Sequence, residues 1–144
     1  MYKHTSEIQR SECNWIFEKI AKKYINRILE KRPKYFPARM LEGRLALLQK
    51  KYDKAADIFS QLASEEPKSS TAHYFRGIAC FTKGEINNSK ASLTKAIELN
   101  PNFIKARFLL ADIYMNEQRF DLARKEAEKV ISAWFNMDNV QPVK

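Results

Sequence analysis

Side chains equipped for chemistry are sparse in this chain of 144 residues. The two histidines, His4 and His73, stand far apart. Neither belongs to an HExxH pattern or to a zinc-ligand spacing, so no imidazole pair is set up to hold a metal. Cys13 and Cys80 lack the short spacing of a metal knuckle or a disulfide framework. Cys80 sits among Ile78, Ala79 and Phe81, where a thiol serves as a small packed hydrophobe. Ser6, Ser11 and Ser60 occupy no nucleophile elbow, and the three glycines are isolated, so there is no phosphate-cradling loop. Glu65 and Glu66 are adjacent, and adjacent carboxylates on a helix face different directions, which rules out a paired acid and base. The expectation is a protein with no catalytic residues, no metal and no cofactor.

Charge is the stronger signal. The formal net charge is +9 and the isoelectric point is near 9.6. The excess is uneven: Lys19 to Lys54 contains 12 basic residues against Glu30, Glu42 and Asp53. Lys23, Arg27 and Lys31 recur every fourth residue and form a basic stripe on a helix, to which Lys19, Lys22, Arg32, Lys34 and Arg39 add. Tyr24, Tyr35 and Phe36 lie near it and have the faces to stack on bases. One reading is therefore nucleic-acid or acidic-partner binding through the basic N-terminal third. Against nucleic acid, the aromatics also fall at packing positions and no RNA-binding motif is present. The plain reading is a solvated, Lys-rich helical surface.

The elements that would carry these residues are helices. With 44% hydrophobic residues, three Gly and five Pro, the composition suits one helical domain rather than a sandwich or a low-complexity chain. A leading helix is expected over 6–32, with Ser6 and Gln9 at capping-box spacing and Ile8, Trp15, Ile16, Ile20, Tyr24, Ile28 and Leu29 largely on one face. Pro33 stops it, because proline cannot continue the hydrogen-bond ladder. Helical pairs follow, with turns at Gln49-Lys50-Lys51 and at Lys83-Gly84-Glu85, and with Ser69, Ser70 and Thr71 as candidate caps. The tail 138–144 holds turn formers and is expected to fray.

The pattern repeats. Pro33, Pro67 and Pro101 stand 34 residues apart, as do Ala38, Ala72 and Ala106, and so do Gly43 and Gly77. A fixed period of this size marks a stacked array of one supersecondary unit. The repeats run about 36–69, 70–103 and 104–137 in a single domain, 1–144, led by a half repeat: the second half of the first helix matches the second helix of a unit, and its first half lacks the expected turn. Each helix pair buries its apolar face only by stacking on a neighbour.

This helix-turn-helix unit resembles the tetratricopeptide repeat. Counting from Ser70, the family favours a small eighth residue, where Gly43, Gly77 and Ala111 stand, and an aromatic seventeenth, where Tyr52, Ile86 and Phe120 stand. The small twentieth position is matched by Ala55, Ser89 and Ala123, and the bulky twenty-fourth by Phe59 and Leu93, with Ala127 smaller. The closing proline is missing at Phe135, and the family's bulky fourth residue is replaced by Arg39, His73 and Arg107. The resemblance implies an all-α solenoid of antiparallel helix pairs in a right-handed superhelix, acting as a protein-interaction scaffold.

It also implies a ligand groove lined by the first helix of each pair. The lining positions are Met40, Arg44 and Leu47, with Pro37, Leu41 and Leu48; Tyr74, Phe75, Ile78 and Phe81, with Thr71 and Thr82; and Lys105, Phe108, Leu109, Asp112 and Met115, with Asn116. Some family members clamp a chaperone's C-terminal carboxylate there. Lys105 matches one clamp position, but the others carry Met40, Arg44, Phe75 and Leu109, which are mostly apolar and cannot fork a carboxylate. An apolar groove suits an amphipathic helix or peptide instead. The apolar end at Ile131, Trp134 and Phe135 has no polar cap helix, so it is expected to continue into a longer array, pack on another copy as a self-association module, or lie under the tail. No apolar run reaches membrane-spanning length and the N-terminus lacks a signal-peptide core, so the chain as given reads as soluble and cytoplasmic.

Overall fold

The computed structural model describes residues 2–138, with side chains from 12 to 136. Those residues form seven helices: α1 (Tyr2–Lys31), α2 (Phe36–Leu48), α3 (Tyr52–Glu65), α4 (Ser70–Lys83), α5 (Ile86–Leu99), α6 (Ile104–Asn116) and α7 (Phe120–Asp138). The fold is all-α, a solenoid of antiparallel helix pairs, and no strand occurs among the described residues. Two compact units divide within α3, one of residues 1–58 and the other of residues 59–144. The expectation for the tail falls outside the described residues, except that Asp138 ends α7. The capping-box expectation is corrected: α1 begins ahead of Ser6, so Ser6 and Gln9 lie inside the helix.

The turn within each pair has one geometry, built three times. The last helical carbonyls are closed by Lys50 N–H to Leu47 O and Lys51 N–H to Ala46 O, by Gly84 to Phe81 and Glu85 to Cys80, and by Gln118 to Met115 and Arg119 to Tyr114. This double bond pattern demands a left-handed residue just past the helix. Lys50, Gly84 and Gln118 supply it, with φ of 58°, 84° and 59°. Only Gly84 does so without a side-chain penalty.

The connections between pairs also repeat. Tyr35, Ser69 and Phe103 donate their N–H groups to the carbonyls of Arg32, Glu66 and Asn100. Ser69 caps α4 by accepting from Ala72 N–H at 3.2 Å. The unusual fourth position of the repeat now has a physical role. The His73 ring nitrogen Nε2 lies 2.9 Å from the Pro67 carbonyl, and Arg107 Nε donates to the Pro101 carbonyl at 2.9 Å. A carbonyl only accepts, so His73 carries its proton on Nε2. Each polar side chain ties the first helix of a repeat to the proline that closed the one before. Arg107 also reaches Glu126 Oε2 on α7 at 2.7 Å, and both side chains are nearly buried.

In unit 59–144, α4 packs on α5, α5 on α6, and α6 on α7. The core here gathers Leu93, Ala96, Ala106, Leu110 and Ile113. Gly77 explains the small eighth position: a Cβ there would stand 2.9 Å from Leu93 Cγ and Cδ2. Ser89 fills the small twentieth position, fully buried, and donates to the Gly77 carbonyl at 2.7 Å. In unit 1–58, α1 packs on α2, with Ile25, Ala38, Met40, Leu45 and Ala46 buried, and Lys54 of α3 pairs with Glu42 of α2 at 3.0 Å.

Candidate functional site

Among the described residues, no three His, Cys, Asp or Glu side chains come together to hold a metal ion. His73 is engaged with the Pro67 carbonyl, Cys13 is exposed and Cys80 is buried. Burial is the main cause that raises the Cys80 thiol, and the Glu85 carboxylate adds to it, so this sulfur stays protonated at neutral pH. The side chains of His4, Ser6 and Ser11 lie outside the described residues.

The expected groove residues sort into two units. In unit 59–144 seven of them line one trough of about 580 Å³: Tyr74, Ile78 and Phe81 from α4, and Lys105, Phe108, Leu109 and Asp112 from α6. Positions 74, 78 and 81 share one face of α4, and 105, 108, 109 and 112 share one face of α6, by the spacing of helical turns. Their inward neighbours, Ala79, Cys80, Ala106, Leu110 and Ile113, are buried and hold each helix by its other side.

The trough is apolar along its length and charged at two points. Lys105 and Asp112 are seven residues apart on α6, which separates them by about 10 Å along the helix axis. Phe108 lies between them and is 59% exposed, an unusual exposure for so large an apolar ring. Tyr74 packs against Phe103 at 4.8 Å and Phe75 at 5.2 Å between ring centroids. Burial raises its pKa, so its phenol remains a hydrogen-bond donor at neutral pH. The arrangement offers apolar contact, one cation, one anion and one hydroxyl.

Phe75 and Met115 stand apart from the trough. Phe75 turns into the packing, stacked on Phe59 with centroids 5.3 Å apart and planes 17° off parallel. Met115 is exposed near the end of α6 but does not line the trough. In unit 1–58, Met40 is buried and Leu47 half-buried, while Arg44 faces outward beside Leu41 and Leu48. Sequence spacing marks which face of a helix a residue takes. It does not say how much of that face its neighbours cover, which is why Met40 and Phe75 looked like Arg44 and Tyr74 in the sequence.

Comparison with known proteins agrees with this architecture. Three family models, each described as tetratricopeptide repeat, match residues 19–70, 70–103 and 92–125. No curated protein matches the chain. Solved structures do: MamA 41-end from Desulfovibrio magneticus RS-1 has a TM-score of 0.77 at 22% identity over 88% of this chain and 72% of that one. A MamA RS-1 double mutant gives 0.77 at 22% identity, covering 88% and 71%, and a further MamA crystal structure gives 0.73 at 16%, covering 88% and 69%. At such identities the likeness concerns the fold.

Proposed function

Since this chain belongs to the tetratricopeptide-repeat family, a family of protein-interaction scaffolds, we propose that it is a non-catalytic module that holds a peptide or amphipathic helix of another protein against the α4–α6 trough. The observation that carries this reading is the convergence of Tyr74, Ile78, Phe81, Phe108 and Leu109 on one concave surface, with Lys105 and Asp112 set among them. An amphipathic helix offers anchors at i, i+3, i+4 and i+7, and a surface with this spacing of rings receives such anchors. The two charges fix direction and register more than they add affinity.

The test is a peptide-array screen with the whole chain, followed by Phe108→Glu and Lys105→Glu. Both positions are exposed, so the variants are expected to melt as the parent does. Phe108→Glu should weaken captured peptides by at least about tenfold, the loss of a central aromatic anchor. Peptides that bind the parent and the folded Phe108→Glu variant equally would end the proposal.

A further inference from the structure

The second observation lies in unit 1–58. The second half of α1 repeats the second helix of a pair: Ala21, Ile25 and Ile28 fall 68 residues before Ser89, Leu93 and Ala96 of α5. In unit 59–144, α4 lies against that side of α5, with Gly77 set against Ser89 and Leu93. The equivalent turn before α1's second half would fall at Ile16-Phe17, 34 residues before Lys50-Lys51. There α1 runs straight on as one helix, so its own earlier residues do not fold back to take the place that α4 takes.

The place is open. It is a slot of about 290 Å³ between α1 and α2, floored by Ala21, Ile25 and Leu45 and walled by Phe17, Tyr24, Ile28, Leu41 and Leu48, with Arg44 among them. Exposure shows the uncovered side: Phe17 is 62%, Tyr24 59% and Leu48 64% exposed, whereas Ser92, the counterpart of Tyr24 on α5, is 3%. Charge identifies the occupant. Residues 1–58 carry 14 Lys and Arg against 7 Asp and Glu, a net +7, while residues 59–144 carry 12 against 10, a net +2. Exposed Lys23, Arg27 and Lys31 run beside the Tyr24 stripe on α1.

We infer that this slot between α1 and α2 receives one amphipathic helix of a partner protein, small-residued where it meets Ala21 and Ile25 and acidic on its outer side, completing the leading repeat in trans. The fit is that of a first helix of a pair, because the second helix of the pair and the first helix of the next already form its two walls. The acidic character follows from the net +7 of the surrounding unit, which repels a basic helix and speeds encounter with an acidic one. A second copy's α7, with exposed Ile131, Trp134 and Phe135, is near charge balance and lacks this complementarity.

The probe is a stapled 14-residue peptide of the α4 sequence, Ser70–Lys83, in two forms: unchanged, and with Thr71→Glu and Thr82→Glu, which are exposed on one side of α4. Titrated into the whole chain, the acidic form should bind at least about tenfold tighter than the unchanged form and weaken as salt rises. Tyr24→Glu and Leu48→Glu should each abolish it, with melting unchanged, while Phe108→Glu should leave it intact. Equal binding of the two peptides, or none, overturns the inference. Loss through Phe108→Glu alone also overturns it, by assigning the peptide to the α4–α6 trough. Sedimentation showing a dimer that Tyr24→Glu dissociates would make a second copy the occupant and overturn it as well. The trough proposal stands or falls separately, on Phe108→Glu with array peptides.

Discussion

α5 and the second half of α1 carry the same pattern and end in different circumstances. On α5, Ser89, Leu93 and Ala96 are fully buried and Ser92 nearly so, because α4 and α6 both pack on that helix. On α1, Ile25 is buried against α2, yet Ile28 is 38% exposed and Tyr24 59%. The comparison teaches that an apolar stripe in a repeat is not by itself a core. It becomes core when both neighbouring helices are present, and where one is absent the same stripe is a surface that attracts a partner.

The largest effect expected from this contrast is at Leu93. Leu93→Ala should cost about 3–4 kcal/mol in urea denaturation, the transfer loss plus a cavity that the packed helices cannot close. Tyr24→Ser, at the half-covered helix, should move stability by less than about 0.5 kcal/mol. A comparable loss at both sites would break the contrast, since it would mean that α1 is covered as fully as α5.

Arg107 comes next. Arg107→Met leaves the nearly buried Glu126 with only the exposed Lys129 at 3.6 Å and removes the bond to the Pro101 carbonyl, so a loss of about 3 kcal/mol is expected. Adding Glu126→Met should restore much of it, because two apolar chains leave no unpaired charge. If the double variant is no better than the single one, the worth of Arg107 lies in the proline carbonyl rather than in the ion pair.

The smallest effects sharpen the comparison at the turns. Gly84→Ala should destabilise by about 1 kcal/mol, and Gln118→Gly should stabilise by a few tenths to about 1 kcal/mol, both through the left-handed φ. Thermal melting of the two variants reads the sign directly. Equal and opposite shifts would show that these two turns differ only in the residue that fills the left-handed position.

Much of this molecule was legible in the chain. Prolines, small residues and aromatics at a constant interval dictate stacked helix pairs, because each type solves a local problem of stopping, close approach or wedging. Tyr74, Ile78, Phe81, Phe108 and Leu109 were legible as one surface through the groove positions that the tetratricopeptide-repeat resemblance implies. The apolar spacing of Tyr24 and Ile28 marks one face of a helix, but it does not reveal the slot that they form with Phe17, Leu41 and Leu48. The signal for it was present in the match of Ala21, Ile25 and Ile28 to Ser89, Leu93 and Ala96, taken together with the missing turn at Ile16-Phe17.

By itself the sequence determined the period, the helices and their stops, since these rest on local backbone and side-chain chemistry. Only the tertiary structure decided coverage. It turned Phe75 toward Phe59, buried Met40, tied His73 and Arg107 to the proline carbonyls, and left Tyr24 and Phe108 in the open. Whether an apolar side chain is core or contact surface depends on which helices are present to pack on it, and that is a property of the assembled neighbours rather than of the residue.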